Sequence, residues 1–154
     1  MAIAPNTTFV SGQILTAAQQ NAFGFGVVAL STLTANTLAT TTEATRTSVT
    51  WTAIANRYYK LTWFEPNVLN GANQSLNNIY LRATTTAGTV IGNSSFFFFN
   101  AGVNSFATCS VVKTFTAGSQ TVFARILTNA ATDTTYQASA TMPAFLLVED
   151  IGPA

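Results

Sequence analysis

The sequence predicts an all-β protein, a β-sandwich of about eight strands preceded by an extended arm with one short helix. After residue 26, short runs rich in Thr, Val, Ala and aromatic residues are separated by Asn, Gly and Ser. Such runs are typical of strands joined by tight turns, and their spacing is that of a sandwich or barrel. The chain has 154 residues, 48% of them hydrophobic, which is enough for one domain. We therefore divide it into an arm, residues 1–26, and a sandwich, residues 27–154.

The helix is predicted from a capping box in the arm. Thr16 is a suitable N-cap, and Gln19 stands three positions later, where its side chain can reach back to the cap. The glycines at positions 24 and 26 would end the helix. The same pattern also fits an ordinary capped turn at the edge of a domain.

The first strands are predicted from alternation of apolar and polar residues. Residues 27–33 come first, and residues 45–54 follow with Val49, Trp51 and Ala53 on one face and hydroxyl residues on the other. One face of that strand should therefore be buried. Residues 58–64 carry aromatic side chains on both faces, which suggests a core on one side and another subunit on the other.

The longest predicted loop covers residues 67–78, which contain several Asn and Gln residues and a glycine. Loops of this composition lie at the surface of a domain. The remaining strands are predicted at residues 76–86, 95–100, 106–116, 121–128, 134–141 and 144–149.

Charge is scarce in this chain and excludes several functions. Only 7% of residues are charged and the formal net charge is +1, so a monomer would have little electrostatic protection from association. The six basic residues are scattered, so no nucleic-acid partner is expected. There is one cysteine and no histidine, so neither an intrachain disulfide nor a cofactor or metal is expected. The absence of a long apolar segment predicts no membrane span, and the first residues do not resemble a secretory signal.

Catalysis is not expected either. The carboxylates are few, and Glu149 and Asp150 are adjacent in a predicted strand, where alternation points their side chains apart. No histidine is present for a catalytic triad. The sequence therefore predicts a protein that is not an enzyme.

Two segments are apolar on both faces and are candidates for contact between subunits. One is the run of four phenylalanines at residues 96–99, and the other is the segment at residues 144–148. In a two-layer sandwich one face of each sheet normally meets solvent, so such a strand is either fully internal or packed on another copy. The predicted oligomer interface comprises Tyr58, Phe64, Phe96, Phe97, Phe98, Phe99, Leu146 and Val148.

Both ends of the chain resemble those of tailed-bacteriophage virion proteins. The opening segment TFVSGQILTAAQQN, residues 8–21, is similar to a short attachment arm of these proteins, although Gln20 stands where the arm usually has an apolar residue. The ending VEDIGP, residues 148–153, and the strand NRYYKLTW, residues 56–63, are also similar. This resemblance implies a jelly-roll of tumour-necrosis-factor or C1q type that forms a homotrimer.

The resemblance implies two roles, which the sequence leaves open. The first is capsid decoration, in which a trimer binds the major capsid protein on the exterior of the virion after synthesis in the host cytoplasm. The arm would make that contact through Phe9, Ile14, Leu15, Phe23 and Phe25, unless these residues simply cover the bottom of the sandwich. The second is a tail-associated or head-fibre adhesin that binds host-surface glycans through Asn70, Asn73, Tyr80 and Arg82.

Overall fold

The computed structural model describes residues 26–129 and 134–154, and within these ranges the secondary structure is entirely β. The predicted arm, its helix and the five arm contact residues lie at positions 1–25, outside the described residues. Ten strands are present: β1 (Gly26–Leu33), β2 (Thr37–Leu38), β3 (Ala44–Ala53), β4 (Arg57–Asn70), β5 (Ser75–Ala83), β6 (Val90–Phe98), β7 (Asn104–Thr114), β8 (Gly118–Thr128), β9 (Thr134–Gln137) and β10 (Ala144–Pro153). The predicted all-β class is therefore confirmed.

The strands form two antiparallel sheets. In the six-stranded sheet, β1 pairs with β10 and β10 pairs with the first half of β4, while β7 pairs along the opposite edge of β4. The last residues of β4 pair with β9, and β9 pairs with the two-residue β2. The four-stranded sheet has the order β3-β8-β5-β6. Consecutive strands repeatedly change sheet, so most pairings join distant parts of the chain.

The core lies between the sheets and follows the alternation of each strand. Val49, Trp51 and Ala53 are buried as predicted, and their Ser and Thr neighbours face outward. On β4, Leu61 and Trp63 are fully buried opposite them. Trp51 packs edge-on against the ring of Phe115 at 5.0 Å between centroids. Aromatic pairs in this geometry add to the stabilisation from burial alone.

The loop predicted at residues 67–78 was placed wrongly, because only residues 71–74 lie outside the strands. Asn70 ends β4 and is fully buried, and its side-chain nitrogen donates hydrogen bonds to the carbonyls of Ala72 and Asn100. Asn77, on β5, is also fully buried and donates to the hydroxyl of Ser75. These amides satisfy polar groups inside the sandwich, so a composition typical of loops occurs here in buried strand ends.

Two ion pairs are buried within the sandwich. Arg46, on β3, is turned inward at a bulge and reaches the other sheet, where its Nε lies 3.0 Å from Glu65 Oε1 on β4. The same carboxylate oxygen accepts a hydrogen bond from the indole of Trp63. Burial raises the pKa of Glu65, against the opposing effect of Arg46. The second pair joins Arg57 to Asp150 at 2.5 Å.

Among residues 26–129 and 134–154, no helix has the length and apolar character needed to cross a membrane. The same residues contain no cluster of three or more His, Cys, Asp or Glu side chains suited to a metal ion.

Candidate functional site

The outer face of the six-stranded sheet carries several large apolar side chains among Thr, Ser and one Lys–Glu pair. Its side chains alternate with buried ones along each strand: Leu146 and Val148 are fully buried, so Phe145 and Leu147 point outward. Register places Leu147 beside Leu30, and Phe145 beside Phe64. We call this surface the apolar face. It comprises Leu30, Tyr58, Phe64, Val112, Phe145 and Leu147.

The apolar face is open to solvent in a single chain. The Leu30 side chain is 56% exposed and Val112 is 52% exposed. The rings of Phe64 and Phe145 contact each other at 5.4 Å between centroids. One ion pair lies within this surface, Lys60 with Glu149 at 3.5 Å, and both of its side chains are partly exposed. Groups of exposed large apolar side chains are typical of interaction sites.

Alternation divides the four successive phenylalanines between two environments. Phe96 and Phe98 point inward and contact each other edge-on at 5.6 Å, and Phe98 is 5% exposed. Phe97 and Phe99 point outward and contact each other at 5.0 Å. Phe99 is 74% exposed. Together with Leu76 and Val103, these two outward rings form a second apolar surface at the β6–β7 side of the sandwich, which we call the edge cluster.

Fewer of the residues predicted for the oligomer interface are available to contact another chain. Phe98, Leu146 and Val148 were assigned to it wrongly, because they are buried in the core of one chain and offer no surface to another. Phe96 is half-buried and packs against the same core. Tyr58 and Phe64 are half-buried on the apolar face, and Phe97 and Phe99 belong to the edge cluster. These four stay predictions for the interface.

The outer face of the four-stranded sheet is more polar, although Leu76 and Phe97 of the edge cluster lie at its β5–β6 end, and we call it the polar face. It presents the Ser and Thr side chains of β3 and a charged cluster in which one carboxylate, that of Glu43, receives two arginines. Arg82 donates to both of its oxygens, at 2.6 and 2.7 Å, and Arg125 donates to Oε1 at 3.0 Å. The hydrogen bonds from Arg82 lower the pKa of Glu43 below its ordinary value of 4.5.

The four predicted glycan contacts do not form one site. Asn70 was predicted wrongly, because its side chain is fully buried and bonded to backbone carbonyls. Asn73 is exposed at the turn before β5, where its Oδ1 accepts a hydrogen bond from the backbone of Ala101. Tyr80 and Arg82 lie in the middle of the polar face, with the guanidinium 5.7 Å from the ring centroid.

The structure contains a cavity that the sequence did not predict. It has a volume of about 280 Å³ and is lined by Asn36, Asn67, Gln137, Ala138, Ser139 and Met142. We call it the amide cavity. Its walls come from four separate segments: the residues before β2, the end of β4, the end of β9 and the β9–β10 connection. The side-chain nitrogen of Asn67 donates to Oε1 of Gln137 at 2.7 Å, and the Oδ1 of Asn36 accepts from the backbone of Ala138 at 3.0 Å.

The carboxylates of the described residues all have cationic partners. Glu43 binds Arg82 and Arg125, and Glu149 binds Lys60. The other two are the buried Glu65 and Asp150, each paired with an arginine. The fifth acidic residue of the chain, Asp133, lies outside the described residues. Ion pairing of this kind favours a structural role for these groups.

No protein-family model matches this chain, and no curated protein matches it in sequence. Among solved structures, it is similar to a chain of the T13 infectious bursal disease virus particle, with 10% identity and a TM-score of 0.44 over 80% of this chain and 36% of the viral chain. It is also similar to CsCBM6-3 of Clostridium stercorarium in complex with cellobiose, with 12% identity, a TM-score of 0.34 and coverage of 76% and 85%.

A third similar structure is the enzymatically active domain of tailspike protein 4 of bacteriophage CBA120. It is 11% identical, with a TM-score of 0.27, over 77% of this chain and 19% of the tailspike chain. This chain therefore spans about a third of the length of the viral particle chain and less of the tailspike chain. At these identities and TM-scores, the similarities assign no function to it.

Proposed function

We propose that this chain is a non-enzymatic virion structural protein that forms a trimer and decorates the outer surface of a capsid, with its N-terminal arm in contact with the major capsid protein. The observation that carries the proposal is the apolar face. A sheet whose outer side presents Leu30, Phe64 and Leu147 to solvent is unfavourable in an isolated chain, since each square ångström of apolar surface removed from water stabilises by roughly 25 cal/mol. The low overall charge favours association for the same reason.

A cyclic trimer accounts for two different apolar surfaces on one chain. The apolar face covers the flat side of the six-stranded sheet, whereas the edge cluster lies at the β6–β7 side of the sandwich. When one surface of a protomer packs on a different surface of the next, the contact is heterologous and produces a closed ring if the rotation closes. We infer that the edge cluster, with Phe97 and Phe99, packs against the apolar face of the neighbouring protomer.

The strand order supports a jelly-roll sandwich. The eight principal strands are arranged as β1-β10-β4-β7 and β3-β8-β5-β6 in the two sheets. Two four-stranded layers with strands that cross repeatedly from one sheet to the other are the arrangement of a jelly-roll. Such a domain agrees with the fold implied by the two ends of the sequence.

The arm is the proposed attachment element. It precedes β1, and β1 is an edge strand of the sheet that carries the apolar face. A trimer would present three arms from equivalent positions. Once one arm is bound, the other two bind at a high effective concentration, so weak contacts by Phe9, Leu15 and Phe23 would hold the trimer firmly on a capsid.

The decisive experiment measures the molar mass of the purified protein by light scattering and then its co-sedimentation with capsids that lack it. We expect a trimer that pellets with the capsids. A matched variant without residues 1–25 should keep the trimer mass and stay in the supernatant. A monomer would contradict the trimer, and a trimer that ignores capsids with or without the arm would contradict decoration.

A tail-associated or head-fibre adhesin is the second candidate. The observation that favours it is the amide cavity, since a preformed cleft with a few converging polar groups is the usual form of a small-ligand site. Under this role, the trimer would not pellet with capsids, and removal of residues 1–25 would leave ligand binding intact.

A further inference from the structure

We propose that the amide cavity binds a neutral saccharide through one pyranose ring. The proposal deepens the adhesin role and does not depend on capsid decoration, because the cavity is formed within one chain. It also moves the predicted glycan site away from Tyr80 and Arg82 to a different set of side chains.

The floor of the amide cavity can form hydrogen bonds with a ligand. Asn67 and Gln137 are directly opposite each other in the β4–β9 pair, and one hydrogen bond joins their side chains. This bond uses one polar end of each amide. Whichever way the two amides are oriented, one carbonyl oxygen and one NH₂ group are left for a ligand. A neighbouring acceptor and donor match two adjacent hydroxyl groups of a sugar.

The amide cavity is preformed, because hydrogen bonds within the chain hold its walls in place. Asn36 is fixed at one wall by the hydrogen bond that its Oδ1 accepts from Ala138, which leaves its NH₂ group as a further donor. The opposite wall is a tight turn closed by its own hydrogen bonds. In it, the backbone of Ser139 donates to the carbonyl of Met142 at 3.0 Å, and the backbone of Met142 donates to the hydroxyl of Ser139 at 3.1 Å. A ligand would bind without ordering these groups, which reduces the entropic cost.

The charge and the shape of the cavity also favour a neutral sugar. All six lining side chains are uncharged, so they offer no ionic partner to a carboxylate, sulfate or phosphate group on a ligand. Met142, 54% exposed, supplies an apolar wall. Outside the cavity, on the other side of Asn67, Phe106 lies opposite the β4 bulge and is 64% exposed on the same outer face. An amide floor beside the apolar side chain of Met142 suits a ring that has hydroxyl groups at its edge and C–H groups on its faces.

The test is a binding assay of the intact protein against a panel of neutral monosaccharides and disaccharides, acidic saccharides, and short peptides, by ligand-observed NMR followed by titration. We expect a neutral sugar to bind and the acidic sugars and peptides not to bind. Asn67→Ala and Gln137→Ala should each weaken that binding at least about tenfold. Asn93→Ala, which removes an exposed amide from the polar face, is the matched control and should bind normally.

Several outcomes would overturn the proposal. These are binding of no neutral sugar, binding of acidic sugars or peptides alone, or sugar binding that Asn67→Ala and Gln137→Ala leave unchanged while their unfolding curves match the unsubstituted protein. Asn67→Gln provides a second variant that keeps the amide but displaces it. The molar mass and capsid sedimentation of the same samples report on the proposed virion role separately, so failure of one proposal is distinguishable from failure of the other.

Discussion

The two outer faces of the sandwich are built by the same alternation, yet they differ in the side chains at their centres. On the apolar face, rows of cross-strand neighbours join Leu30 to Leu147 and Phe64 to Phe145. On the polar face, Thr50 bonds Thr121 at 2.9 Å, and Glu43 is shared between two arginines. Both sheets bury their inner faces, so the core does not require this difference. In the proposed trimer, the apolar face is the side that meets another protein surface.

The largest expected effect is on association. Leu147→Lys places a charge in the middle of the apolar face, where burial against a neighbouring protomer would leave it unpaired. We expect the proposed trimer to dissociate to folded monomers at micromolar concentration, because Leu147 points away from the core. The measurement is molar mass by light scattering.

Thr50→Lys is the matched control, because it adds the same charge to an exposed strand position on the polar face. We expect its mass to equal that of the unsubstituted protein. If both variants dissociated, or if neither did, the apolar face would not be the surface that holds the trimer.

The next effect concerns the ion pair that joins the two sheets. Arg46→Ala leaves the Glu65 carboxylate buried without its cation, and loss of one partner of a buried pair costs about 3–5 kcal/mol. The free energy of unfolding from urea denaturation should fall by that amount. The double variant Arg46→Met with Glu65→Leu should recover a large part, because it removes both charges and keeps apolar volume. A single variant as stable as the unsubstituted protein would argue against an ion pair between the sheets.

A smaller effect is expected from the charged cluster on the polar face. Because its arginine partners lower the pKa of Glu43, the ionised carboxylate contributes stability above the ordinary value of 4.5, and this contribution is lost as the pH falls through the lowered value. The unfolding temperature of the unsubstituted protein should fall as the pH is lowered below the ordinary value of 4.5. Glu43→Gln should be less stable at pH 7, and its unfolding temperature should fall less at acid pH. If the unfolding temperature of the variant fell as much as that of the unsubstituted protein, the pH dependence would come from other carboxylates.

Sequence reasoning succeeded where structure depends on near neighbours. The alternation in residues 45–54 predicted which side chains of β3 are buried, and the runs of Thr and Val predicted most strands. It failed where pairing across the fold decides the environment. Asn70 and Asn77 resemble loop residues, but the strands that carry them pair with distant strands and bury them. All four phenylalanines of residues 96–99 were assigned to the oligomer interface, whereas the period of a strand sends alternate rings inward and outward.

The amide cavity was not predictable for the same reason. Asn67 and Gln137 are 70 residues apart, and they become neighbours only because β9 pairs with the end of β4. Asn36 joins them through the short β2, which had no alternation to reveal it. Such a site can be predicted only when the pairing of the strands is known, and the identities of the individual residues do not reveal that pairing.

The smallest expected effect is at the ion pair within the apolar face. Lys60→Met removes an ion pair whose two side chains are 45% and 30% exposed, and pairs of this kind contribute about 0–1 kcal/mol. Urea denaturation at matched protein concentration should detect a change of less than about 0.5 kcal/mol, and Glu149→Gln should give the same result. A loss several times larger would mean that this pair is shielded from water in the assembled protein.

The position of β10 has a consequence for synthesis. This strand lies between β1 and β4, so β1 and β4 are not joined in the sheet until residues 144–153 have been made. During translation, the edges of β1 and β4 that pair with β10 stay unpaired until then, and pairing between strands so far apart in sequence is slow. A nascent chain that stalls before β10 would lack Phe145 and Leu147 and would leave β1 without its partner strand, so the sheet that carries the apolar face would be incomplete.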